Sequence, residues 1–316
     1  MSRRGWVLFT TMSVIWGVPY LLIKVVDDGG VSVPVLVFAR VGVGAALLLP
    51  VALRRRQLSA LRPYWRWLAV FAFVEIIAPW FFLSDAERHL SSSLSGLLIA
   101  AVPIIGAVLV QLTGGTGLFR ATSGAERLTP VRWAGLLLGL SGVALLVAPS
   151  ASGGDWWSVT EVMLTALGYA IGPLVQNRKL SQAPDLGVLA VCLTAAAVVY
   201  APAAALTWPD TMPSARVLAA LVGLGVVCTA VGFLLFFRLI AEVGPARATV
   251  ITYVNPAVAV ALGVSVLGEP LTPEIVAAFA LILAGSVLAT RSGLRRSGPG
   301  GDVPVPGPDA RLESPG

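Results

Sequence analysis

Charge is what this sequence has least of. Only 12% of its 316 residues are Asp, Glu, Lys or Arg, against 57% hydrophobic, and the mean hydropathy is +0.86. A soluble domain carries about 25% charged residues. A water-soluble fold is therefore excluded, and a multi-pass protein of the cell (inner or plasma) membrane is expected. Histidine is almost absent: His89 stands alone and cannot supply a multi-histidine metal site, so no metal is expected. The two cysteines, Cys192 and Cys228, both lie in apolar runs, so no disulfide framework is expected. There is no Gly-x-x-x-x-Gly-Lys-Ser/Thr loop, which argues against ATP as an energy source. His89 with Ser91, Ser92 and Ser93 is the one nucleophile-plus-base cluster. It has only Asp85 or Glu87 to orient it, and its serines read better as a helix start. Neither an enzyme nor a cofactor is expected.

What is present is a series of apolar runs. A bilayer core needs about 20 apolar residues per helix. Ten such spans fall near 6–26, 33–53, 64–83, 92–112, 131–148, 156–176, 186–206, 215–237, 249–267 and 274–290. The first follows Met1-Ser2-Arg3-Arg4 and reads as an uncleaved helix, since it reaches Lys24 without a small-x-small cleavage site. The tail 292–316 is rich in Gly and Pro and is expected to be disordered and cytoplasmic.

The net charge of +6 is explained by the positive-inside rule rather than by a nucleic-acid partner. With the amino terminus inside, 18 of the 22 Lys and Arg residues fall in inside loops and ends, and only Lys24, Arg88 and Arg216 fall outside. Arg40 remains within a span. This bias predicts an even number of spans with both termini cytoplasmic.

The chain also repeats. Aligning Pro103 with Pro256 lays the fourth span over the ninth. After a slip caused by an extra polar segment at 114–123, Glu126-Arg127-Leu128-Thr129-Pro130 matches Glu269-Pro270-Leu271-Thr272-Pro273. Pro19 matches Pro173 at nearly the same offset. Two five-span halves, 1–148 and 149–291, must have opposite orientations because five is odd. Inverted repeats with interrupted helices at matching places are a pattern of secondary transporters, whose site lies near midplane between the repeats. The expected fold is all-α, ten transmembrane helices in two inverted repeats.

Trp16-Gly17 in the first span, Arg40 in the second, the prolines of the fourth and ninth, and the two Glu-x-Leu-Thr-Pro junctions resemble the drug/metabolite transporter superfamily, specifically its EamA-type branch. The resemblance covers residues 6–290. It implies a carrier that moves a small metabolite across the inner membrane, often outward. The chain departs from the pattern at 114–123 and at Tyr169-Ala170, which replaces a second Trp-Gly pair.

Several residues are singled out. Asn255-Pro256 puts an amide and a missing N–H at mid-span, which lipid tolerates only against protein or a water-filled cavity. Pro19, Pro103, Pro173 and Pro256 are expected to flex or break their helices, with helices 4 and 9 breaking at comparable depth beside one cavity. Trp16, Tyr20, Trp80, Tyr169, Tyr253 and Asn255 are candidate cavity residues. Arg40, Glu75 and Glu161 are the ionisable groups inside spans. Arg40 and Glu75 fall at similar depth and could pair, and Glu75 is the candidate proton carrier; Glu161 is expected to be interfacial. The Glu126 and Glu269 junctions read as architectural helix starts. The expected partners are a small-molecule substrate, the lipid bilayer and protons as the coupling ion. A channel or lipid-scrambling protein is the alternative function.

Overall fold

A computed structural model of the chain describes residues 2–112, 130–153, 155–243 and 251–290. The 114–123 segment, the Glu126 junction and the 292–316 tail lie outside these residues.

Helices account for all the regular structure among the described residues. They are α1 (Arg3–Asp28), α2 (Val33–Arg54), α3 (Ser59–Ala86), α4 (92–112), α5 (Pro130–Gly153), α6 (Trp156–Lys179), α7 (Asp185–Leu206), α8 (Ala215–Val243), α9 (Ile251–Leu267) and α10 (Pro273–Thr290). Seven, α1 to α4 and α6 to α8, are long and apolar enough to cross a membrane. The described apolar parts of α5, α9 and α10 are shorter.

Three helices are irregular, and in two of them the cause can be read. Helix α3 opens as a 3-10 turn and then carries a π segment, Ala72–Ile77, before resuming at Ala78. Pro79 has no N–H for the Glu75 carbonyl, so the ladder slips by one residue and Ala78 N donates to Phe73 O instead. Helix α4 is interrupted between Ile99 and Val102, just before Pro103. There Ala100 N and Ala101 N reach back only three residues, to Leu97 O and Leu98 O. Helix α8 has its own π segment, Gly223–Val231. The offset that lays Pro103 on Pro256 carries 72–77 onto 225–230, inside that second π segment.

The helix pairs have an internal order. Helix α1 packs on α9 as α6 packs on α4, α1 on α8 as α6 on α3, and α2 on α8 as α7 on α3. Helices α2 and α7, α4 and α9, and α5 and α10 pair with each other. Exchanging each helix for the one five places on maps these main pairs onto themselves.

Glycines set the closest crossings. Gly139 and Gly285 bring the α5 and α10 backbones into contact, and a Cβ at Gly142 would meet Ala278 O at 2.9 Å. Gly168 and Gly172 of α6 receive Val74 and Glu75 from the α3 π segment. Without aqueous hydrophobic driving force in lipid, such small-residue approaches supply van der Waals contact between helices.

One expectation fails here. Helix α9 runs unbroken from Ile251 through Pro256 to Leu267, so among the described residues only α4 is interrupted. Pro256 is buried within this continuous helix.

Candidate functional site

Arg40 lies on the eighth position of α2, about 10 Å from the helix start at 1.5 Å per residue. Only 6% of it is exposed. Its guanidinium lies 3.6 Å from the centroid of the Trp80 ring on α3, and Trp80 is itself 3% exposed. A desolvated cation over an indole face gains about 2 kcal/mol. Arg40 Nε donates to Thr229 Oγ1 at 3.3 Å, and Thr229 Oγ1 donates to Leu224 O at 2.8 Å within the α8 π segment. Two glycines make this possible. Gly225 of α8 faces Val43 and Arg40 O of α2, and Gly44 of α2 faces Thr229 Cγ2.

Tyr20 of α1 and Tyr169 of α6 complete the cluster. Both are within electrostatic range of Arg40, and the Tyr169 hydroxyl engages Trp80. Tyr20 is buried, and its ring lies beside Gly96 where α4 crosses α9. Among the proposed cavity residues, then, Tyr20, Trp80 and Tyr169 come together around Arg40.

Trp16, Tyr253 and Asn255 make hydrogen bonds between helices. Trp16 Nε1 donates to Cys228 O at 3.2 Å, and its ring packs on Phe233 and Phe236. It thereby serves a carbonyl of the α8 π segment. Tyr200 Oη does the same for Ile77 O in α3 at 2.7 Å, and Thr165 Oγ1 for Pro79 O at 3.2 Å. Tyr253 Oη donates to Ser286 O at 3.4 Å, while Ser286 Oγ donates to Ala100 O at the α4 break at 3.3 Å. Tyr253 thus braces α10 against the break. The Asn255 amide nitrogen, in the orientation that satisfies it, donates to Ile251 O at 2.9 Å and Ser13 O at 3.1 Å, tying α9 to α1. Of the four prolines, Pro19 and Pro256 are buried, Pro103 is half-buried, and Pro173 faces outward from α6.

Arg40 and Glu75 do not pair. Similar depth does not fix the face of the helix, and the π slip turns Glu75 toward α6. Its Oε2 rests against Gly172 without a hydrogen-bond partner among the described residues. Glu161, the sixth residue of α6, is 2% exposed and lies against Asp85 and Trp157.

The end of the bundle that the charge pattern is expected to put outside, hereafter the outer end, holds a second polar group. Glu269, on the α9–α10 connection, accepts hydrogen bonds from Ser92 N at 2.7 Å, Ser93 N at 3.0 Å and Ser93 Oγ. Its carboxylate therefore sits on the amino terminus of α4, where the helix dipole and unused N–H groups favour an anion. Ser91 caps the same turn by accepting from Leu94 N. The Glu269 junction is architectural, as expected, yet its partner is a helix far away in sequence rather than its own. Arg88 bridges Asp85 and Asp27 at 3.5 Å each, and Lys24 reaches Asp28 at 3.4 Å and Glu87 O at 2.9 Å. Sequence reading missed Thr229 and the bonds from Glu269 to the amino terminus of α4. Pro79 was the one visible sign of the α3 slip.

Arg40, Tyr20 and Trp80 are buried, and Tyr169 is half-buried. The more open cavities, of about 200 and 270 Å³, lie on the outer flank of α1 and α8.

Among the described residues, seven helices long and apolar enough to cross a membrane have the form of a polytopic membrane protein. The EamA-like transporter family model matches residues 3–148 and again residues 156–291, and the chain belongs to that family. It is similar to "Uncharacterized inner membrane transporter YedA" of Escherichia coli K12, 25% identical over 282 residues, 88% of this chain and 87% of that one. It is also similar to "Probable terminal-alkyne amino-acid exporter" of Streptantibioticus cattleyicolor, 27% identical over 301 residues, 94% of this chain and 96% of that one. A solved crystal structure shares the fold with a TM-score of 0.63 at 25% identity, covering 90% of this chain and 96% of that one.

Proposed function

We propose that this protein is a secondary transporter of the inner membrane that exports a small metabolite bearing a carboxylate and an apolar or aromatic part. The reading includes ten spans in two inverted halves, 1–148 and 149–291, both termini inside, and alternating access between them. Its support is the family model's two successive matches, the exchange of helix pairs under a five-place shift, and the matching π segments of α3 and α8.

One observation carries the substrate class. Arg40 is buried at membrane depth with an aromatic face and a hydroxyl, and no carboxylate pairs with it among the described residues. A cation there is costly unless something neutralises it. A substrate carboxylate would do so, with Tyr20, Tyr169 and Trp80 contacting the rest. The amino-acid exporter among the relatives agrees with that chemistry. Protons are the proposed coupling ion, with Glu75 as a titrating group beside the site. Exchange or proton antiport would supply the energy.

The test is counterflow in proteoliposomes with a panel of radiolabelled amino acids. A carrier gives saturable counterflow for at least one of them. A channel gives flux that neither saturates nor exchanges, and a scramblase moves labelled lipid instead.

A further inference from the structure

Glu87 belongs to neither the central cluster nor the ion-paired network, yet it is the most enclosed carboxylate of the outer end. It lies in the 87–91 connection between α3 and α4, outside the spans. It is 0% exposed, and neither Oε1 nor Oε2 has a hydrogen-bond partner among the described residues. Lys24, the nearest cation, donates to the backbone carbonyl of Glu87 and directs its charge to Asp27 and Asp28.

The groups facing Glu87 come from every neighbouring element. Lys24, Asp27 and Tyr20 face it from α1, Arg40 from α2, Tyr169 from α6 and Glu269 from the α9–α10 connection. Glu269 is the residue whose carboxylate holds the amino terminus of α4, five residues beyond Glu87. The two acids therefore sit on either side of one closure: the α3–α4 turn from the first half against the α9–α10 turn from the second.

We propose that Glu87 is a proton-binding site that latches the outer face shut. A proton from outside water binds the Glu87 carboxylate, the resulting neutral acid can be buried next to the anionic Glu269, and the α3–α4 turn closes. Loss of the proton to outside water leaves a buried anion facing another anion, and the turn separates so that water reaches Glu87. Glu75 lies deeper in the bundle, so the latch is a second titrating site distinct from it. The proposal rests on the transporter reading for its meaning, since a latch serves alternating access.

The direction of the response follows from burial. Desolvation pushes the Glu87 carboxyl well above the usual carboxylate range; Lys24 and Arg40 oppose this, and Glu269 and Asp27 add to it. In the open state the carboxyl meets water and returns toward its ordinary value. The closed state therefore binds the extra proton. Acid favours closure, and raising the pH through the closed-state value opens the outer face, by at most about tenfold per pH unit for one linked proton.

The experiment needs no substrate. Ser95 lies one turn inside the latch and is fully buried with an unpartnered Oγ. A Ser95→Cys protein in right-side-out vesicles is labelled with a membrane-impermeant maleimide from about pH 5 to about pH 9. The wild type, with Cys192 and Cys228 buried, gives the background. Labelling of the same Ser95→Cys protein unfolded in sodium dodecyl sulfate supplies the thiol's own pH dependence. After that correction, labelling of Ser95→Cys should rise severalfold or more with pH. With Glu87→Gln it should stay low throughout, and Glu75→Gln should leave the rise intact. Glu87→Asp should restore a pH response, which separates lost titration from lost fold. A rise that survives Glu87→Gln, or no rise at all, overturns the latch. Counterflow on the same preparations tells the two proposals apart. Gated labelling without counterflow sinks the transporter reading alone, and counterflow with labelling indifferent to pH sinks the latch alone.

Discussion

The guanidinium carbon of Arg40 lies 3.6 Å from the centroid of the Trp80 ring, and both side chains are buried between α2, α3 and α8. The ring holds the cation in place without neutralising it. That leaves a positive charge whose remaining donors can meet an incoming anion, which is the arrangement a carboxylate carrier needs.

Arg40→Gln should therefore weaken substrate recognition more than it weakens folding. A hydrogen bond to a charged group contributes about 1.5–3 kcal/mol, so half-saturation in counterflow should rise at least about tenfold. Arg40→Lys should recover little of this, because an ammonium cannot lie flat on Trp80 or present a planar fork. Trp80→Phe should fall between the wild type and Trp80→Leu.

Thr229 orients Arg40 through its hydroxyl. Thr229→Ser keeps the bridge from Arg40 Nε to Leu224 O and should transport like the wild type. Thr229→Val keeps the shape and loses the bridge. It should cost about 1 kcal/mol in apparent affinity, some fivefold, with little change in maximal rate.

Glu269 should matter for stability in a way its position in a loop does not suggest. Glu269→Gln replaces a charge-assisted contact at the α4 amino terminus with a neutral one, a loss of about 1–2 kcal/mol. Ser93→Ala removes one hydroxyl donor and leaves both backbone donors, so it should lower the melting temperature in detergent by less.

Small-residue crossings give a sharper structural test. A Cβ on Gly285 would land on the Gly139 backbone of α5, and a backbone cannot swing aside as a side-chain tip can. Gly285→Ala should cost about 1–3 kcal/mol. Gly42→Ala should be neutral, because nothing lies within 4 Å of its added Cβ. Thermal unfolding of the two variants compares them directly.

Stability should also depend on pH through Glu87. Its carboxyl titrates higher when folded than when unfolded. As pH rises past the ordinary carboxyl value, the unfolded chain ionises first and gains over the folded one. Stability should fall through that window and level off once the folded group also ionises. Glu87→Gln should flatten this part of the curve of melting temperature against pH.

The apolar runs placed the helices well, since length and hydropathy are what lipid selects. Gly168 and Gly172, four apart on α6, form the face that receives Val74 and Glu75. What a linear reading lacks is azimuth. Arg40 and Glu75 were counted at similar depth, but Pro79 shifts the α3 ladder into a π segment and turns Glu75 to Gly172 while Trp80 meets Arg40. Pro79 could have raised that alternative; only packing against α6 and α8 decides it. Tyr253 and Trp16 were read as cavity aromatics because aromatics in apolar spans look alike. Their hydroxyl and indole N–H serve the Ser286 and Cys228 carbonyls, the latter within the α8 π segment. The Glu269 bond to Ser92 and Ser93 joins segments with no sequence relation, and no local pattern announces it.

The central claim is that Arg40 receives the carboxylate of an exported small molecule. The most direct measurement is counterflow in proteoliposomes with competing pairs, each amino acid against its own carboxamide, for the wild type and Arg40→Gln. The account predicts that a transported amino acid competes at least about tenfold better than its amide in the wild type, and that the difference vanishes in Arg40→Gln. Equal competition by acid and amide in the wild type, or a preference for the acid that persists in Arg40→Gln, would contradict it.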